Sequence, residues 1–203
     1  VVMNPAALIT NVDNLVDGGL LIVDSGAFTA KNLTKAKYQV NPLEDGSLDK
    51  FRVLEIDITK QVLAAVAEFN LGHKTGVRSK NMWTLGLVLW LFDRDRAGTI
   101  ESLKTKFASK PVIASANIAA LNAGHAYGET AELPAGIHVY KVPKAKVSPG
   151  TYRNITGTNA LAWGLVAGSE LANIEMLFAS YPITPASNLL HELVRHRDFG
   201  INT

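Results

Sequence analysis

The stretch Leu20-Leu21-Ile22-Val23, placed directly after Gly18-Gly19, decides the fold. A short unbroken apolar run behind a double glycine reads as a buried strand. Before it, Asn4-Pro5 opens a helical pattern with Ala7, Leu8, Val12, Leu15 and Val16 on one side, and the two glycines end it. Val1-Val2-Met3 reads as the tail of another buried strand. Strand, helix, strand is the beginning of a parallel α/β arrangement.

Working outward, residues 27–50 are irregular and mixed in charge, and Val53-Leu54-Glu55-Ile56-Asp57-Ile58 is a second clear strand. Thr59 is expected to cap a helix that runs to Leu71 and stops at Gly72. Asn81 to Phe92 is apolar nearly all round, which predicts a helix buried against the sheet or a partner chain. Met82, Trp83 and Trp90 are read as core and not as cofactor contacts. Asp93-Arg94-Asp95-Arg96 reads as a solvated, self-paired turn. Helices over Thr99–Ala108 and Val112–Gly124 complete this region.

From Glu129 to Asn154 the composition shifts to Pro134, Gly136, Pro143, Pro149 and Gly150, interleaved with Lys141, Lys144, Lys146 and Arg153. That is a semi-stiff basic linker, in which Ile137-His138-Val139-Tyr140 offers one short strand. The cations could meet coenzyme A phosphates or an acidic partner, or simply keep the linker solvated; the second reading is favoured. Beyond it, Ala160–Ala172 predicts an amphipathic helix and Met176–Ala179 a strand. One strand between two helices cannot bury both its faces, so this part needs further structure around it.

At 203 residues the chain holds one large domain, or a domain and part of another. A net charge of +2 is too weak for a nucleic-acid partner. The absence of cysteine excludes disulfides and any cysteine-ligated iron–sulfur cluster in this chain. The apolar run Leu85–Phe92 is too short to cross a bilayer and no leader opens the sequence, which points to the cytoplasm. The ends read as those of an interior piece of a longer polypeptide.

Near the end, Tyr181-Pro182-Ile183-Thr184-Pro185-Ala186-Ser187 links the strand pattern to a helical one carrying Ala186, Leu189, Leu190, Leu193 and Val194. Pro182 and Pro185 stiffen the turn and push the residues before them towards extended backbone. Thr184 before Pro185 reads as an N-cap with proline at the first helical position. A helix N-terminus beside a hydroxyl also suits a carboxylate or phosphate, so Thr184 is either only a cap or a substrate donor.

That string resembles the motif of alpha subunits of 2-oxoacid:ferredoxin oxidoreductases, thiamine-diphosphate enzymes that oxidatively decarboxylate 2-oxoacids to acyl-CoA. Ile155-Thr156-Gly157-Thr158-Asn159-Ala160-Leu161-Ala162-Trp163-Gly164 resembles the opening of the same domain. Leu190-His191-Glu192-Leu193 and Asp198-Phe199-Gly200 continue it. Met3-Asn4-Pro5-Ala6-Ala7-Leu8, Lys80-Asn81-Met82-Trp83-Thr84-Leu85-Gly86 and Ala123-Gly124-His125-Ala126-Tyr127-Gly128 resemble the gamma domain. Thr158-Asn159 departs from the usual Asn followed by Glu or Gln, and Asn188 stands where an acidic residue is common.

The resemblance implies an α/β fold: a partial parallel-sheet gamma domain over residues 1–128, a linker over 129–155, and over 156–203 the start of a thiamine-diphosphate-binding, pyrimidine-type α/β domain. It implies that Thr184 hydrogen-bonds the substrate carboxylate or keto group. Tyr181, Pro182, Ile183 and Pro185 form the rigid frame, with Tyr181 a candidate substrate contact. It places thiamine diphosphate, its Mg ion and an iron–sulfur cluster mainly on a partner beta subunit, in a dimer of heterodimers that passes electrons to ferredoxin. Coenzyme A is the co-substrate, and 2-oxoglutarate is favoured over other 2-oxoacids by the gamma-then-alpha order. The glutamate that activates the aminopyrimidine falls beyond Thr203. The alternative is a non-catalytic coenzyme A-binding or assembly module of such a complex.

Other chemistries lack residues. His191 and His196, five apart, lie roughly 140° around a helix and do not converge on a metal. Glu192 and His196 share a face as a surface pair. His73, His125 and His138 have no carboxylate or cysteine at ligand spacing, and no nucleophile elbow or phosphate loop is present.

Overall fold

The computed structural model describes residues 1–134, 137–143 and 145–202, which form two compact units, residues 1–144 and 145–203. Gly136 and Lys144 of the linker reading, and Thr203, lie outside the described residues.

In the first unit, the Asn4 side chain accepts a hydrogen bond from the Ala7 amide at 2.9 Å and starts α1 (Pro5–Asn11), with proline where its missing N–H costs nothing. A 3-10 turn follows at Val12–Asn14, and Gly18 takes a left-handed φ of 74° before β1 (Leu20–Asp24). β1 pairs in parallel with β2 (Arg52–Ile56), Leu20 opposite Arg52 and Asp24 opposite Ile56. Val2 bridges to Val23 in parallel on the other edge of β1, so the strand, helix, strand order holds. The irregular stretch contains a short helix, α2 (Ala30–Lys35), started by the Thr29 hydroxyl oxygen; the charge mixture had concealed it.

Thr59 does not cap the next helix. Asp57 does, its carboxylate accepting from the Lys60 amide at 2.9 Å, and α3 runs over Ile58–Ala65. It ends at Ala65, well before Leu71; a 3-10 turn (Ala67–Phe69) and Asn70, with φ of 49°, follow, and then α4 (His73–Val77). The apolar run becomes α5 (Lys80–Leu91), and Trp83 and Leu87 on it are buried in one core with Ile22, Leu54, Ile56, Ile58 and Val62. Met82 and Trp90 pack against that core, as expected of core residues.

After α5, the Asp93–Arg96 run is not self-paired. Arg96 donates to Asn122 Oδ1 at 3.0 Å and Asp95 accepts from the Ala97 amide at 3.0 Å, which anchors α6 (Ala97–Lys106). α7 (Pro111–Thr130) is longer than its pattern suggested, running past Gly124 because that glycine and Gly128 face neighbouring structure. A Cβ on Gly124 would lie 1.8 Å from the Trp83 carbonyl oxygen, and one on Gly86 would lie 1.9 Å from that of Leu121. Glycine on both helices therefore lets the α5 and α7 backbones touch. Trp83 and Tyr127 close the seam with ring centroids 5.2 Å apart. Ile137–Tyr140 forms no strand; the Tyr140 amide donates to the Leu91 carbonyl at 2.7 Å.

The second unit contains α8 (Gly157–Ala172), β3 (Met176–Leu177), α9 (Ala186–Val194) and β4 (Ile201–Asn202). β3 and β4 pair in parallel, Met176 opposite Ile201 and Leu177 opposite Asn202. Ala162 and Leu193 are fully buried between α8 and α9, with Ile201 beside them. Among the described residues of both units, no helix is long and apolar enough to cross a membrane.

Candidate functional site

The Tyr181–Pro185 turn leaves β3 and enters α9. The Ile183 amide donates to the Tyr181 carbonyl at 2.8 Å, and the Ser187 and Asn188 amides donate to the carbonyls of Ile183 and Pro185. The Thr184–Pro185 peptide bond is cis. All five residues are exposed, Tyr181 at 80% and Ile183 at 64%.

Thr184 is not the N-cap. Pro185 occupies that position and has no side-chain donor or acceptor, so the helix begins one residue later than the Thr-Pro pattern implies. Two first-turn amides are already taken by local carbonyls, which weakens the anion-site reading of this helix end. The same shift leaves the Thr184 hydroxyl without a capping duty.

Opposite the turn stands the start of α8. The Thr156 hydroxyl oxygen accepts from the Asn159 amide at 3.1 Å, and its proton goes to Asn159 Oδ1. Asn159, a departure from the usual motif, thus completes this cap. Between the first turns of α8 and α9 lies a cavity of about 490 Å³. Thr158 and Ser180 line it together with the apolar Leu161, Phe178, Pro185 and Leu189. Such a lining suits a flat ligand with an apolar body and hydrogen-bonding edges.

At the far end of α9, the Trp163 indole N–H donates to His196 Nε2 at 3.2 Å. Glu192 Oε1 lies 3.7 Å from the same nitrogen, and Glu192 Oε2 accepts from Arg195 at 2.8 Å. The expected Glu192–His196 pair is therefore present, within a larger group. His191 is exposed, and no group of three metal-ligand side chains occurs among the described residues.

A second polar cluster, in the first unit, was missed from sequence. Asp24, at the carboxyl end of β1, is fully buried and accepts from Lys80 Nζ at 2.5 Å. It also accepts from the Thr59 hydroxyl at 3.2 Å, and Lys80 donates to Thr59 Oγ1 at 3.2 Å. Thr59 is drawn from capping into this ion pair. The available signal was an acid closing an apolar strand, since the carboxyl ends of parallel strands gather polar groups. His125 was read as having no carboxylate at ligand spacing, yet its Nδ1 lies 3.3 Å from Glu129 Oε1 one turn on.

Residues 1–127, well over half of the chain, match the pyruvate ferredoxin/flavodoxin oxidoreductase family. The chain belongs to that family. Over all 203 residues it is 46% identical to the 2-oxoglutarate oxidoreductase subunit KorA of Mycobacterium tuberculosis, covering 31% of that protein's length. No solved structure matches it. The matched region takes in the Asp24–Thr59–Lys80 cluster, and the similarity to the relative runs on through the Tyr181–Pro185 turn.

Proposed function

We propose that the chain is part of the catalytic subunit of a thiamine-diphosphate-dependent 2-oxoacid:ferredoxin oxidoreductase. It acts on 2-oxoglutarate, forms an acyl-CoA and passes electrons to ferredoxin. The observation that carries this reading is the 46% identity over the whole chain to a 2-oxoglutarate oxidoreductase subunit. Residues 1–128 are the gamma-like domain, 129–155 the linker, and 156–203 the start of the pyrimidine-type alpha domain.

On this reading the iron–sulfur cluster belongs to a partner beta subunit in a cytoplasmic dimer of heterodimers, and these 203 residues, which hold no cysteine, supply no thiolates to it. The cavity between α8 and α9 is lined by apolar residues with Thr158 and Ser180 among them, and by no cationic side chain. That lining fits the aminopyrimidine ring and not a diphosphate with its Mg ion, which the partner holds. When bound, thiamine diphosphate supplies the electron sink for decarboxylation. This chain's contribution is placement: Thr184 donates its hydroxyl proton to the substrate carboxylate or keto oxygen, and Tyr181, Pro182, Ile183 and Pro185 hold it in position.

Thr184→Ala in the full-length complex tests this. A hydrogen bond to a charged group contributes enough that kcat/KM for 2-oxoglutarate should fall about 10- to 100-fold with the assembly intact. Unchanged turnover in an intact assembly would leave Thr184, and this part of the chain, with an assembly role only.

A further inference from the structure

We draw no further inference here: the strongest candidate, the cavity of the first unit beside the start of β1, walled by Leu20, Ile22, Val88, Leu91 and Phe92 and by Tyr140, whose buried hydroxyl has no partner among the described residues, carries nothing, because Val1 is part of its wall and nothing in the structure shows what covers it in a chain that spans 31% of its relative's length.

Discussion

The two units use apolar residues in opposite ways. In residues 1–144, helices α5 and α7 meet through glycine so closely that Trp83, Leu87 and Leu121 are sealed from solvent, and even the carboxylate of an ion pair is buried. In residues 145–203, Ala162, Leu193 and Ile201 are buried, while Leu161, Leu171, Ile174, Leu177 and Tyr181 stand exposed. Two helices and two two-residue strands have too little surface to enclose the apolar side chains this sequence supplies. The lesson is that similar hydrophobicity gives a sealed core in one unit and an apolar exterior in the other, depending on how much structure surrounds it.

The largest effect that would break this contrast is at the buried pair. Lys80→Met leaves the Asp24 carboxylate enclosed with only Thr59 as partner, and unfolding by urea should show a loss of about 3 kcal/mol, less if water reaches the site. Adding Asp24→Leu to it should recover most of that loss. A change under about 0.5 kcal/mol in the single variant would mean that the pair does not hold the unit together.

Glycine supplies the next test, with opposite signs in the two units. Gly124→Ala forces a methyl group into the Trp83 backbone and should cost about 2 kcal/mol, since neither helix can yield without separating. Gly164→Ala in α8 meets nothing within 4 Å and should stabilise by about 0.5 kcal/mol. Equal shifts in melting temperature for both would erase the distinction drawn here.

The smallest effect probes how far the packing of the first unit extends into its irregular stretch. Burial, and secondarily the Asp45 carboxylate, raise the Tyr38 pKa above its usual value of 10.0. A raised pKa means that the neutral phenol is favoured in the folded state. Its contribution is complete below the unfolded value and is lost as pH rises through the folded one. Alkaline unfolding of the wild type should show this loss, and Tyr38→Phe should remove it. An identical alkaline limb in both proteins would show that the residue is solvated like a free tyrosine.

Much of the architecture follows from local sequence. Apolar runs marked β1, β2 and α5, Asn4-Pro5 started a helix where it should, and the resemblance of Tyr181–Ser187 and Lys80–Gly86 pointed to the family that the comparisons show. These features depend on neighbours within a turn or two of the chain, where periodicity and capping act. Tertiary structure alone decided which of two plausible polar residues did a given job. Thr59 was a good cap by type, yet Asp57 took the cap and Thr59 joined an acid 35 residues away. Thr184 was likewise a good cap, yet α9 started past Pro185 and left its hydroxyl out. Trp163 and His196 meet only because Ala162 and Leu193 pack α9 onto α8. Residue type sets what a side chain can bond, and only the packed chain sets which partner comes within about 3 Å.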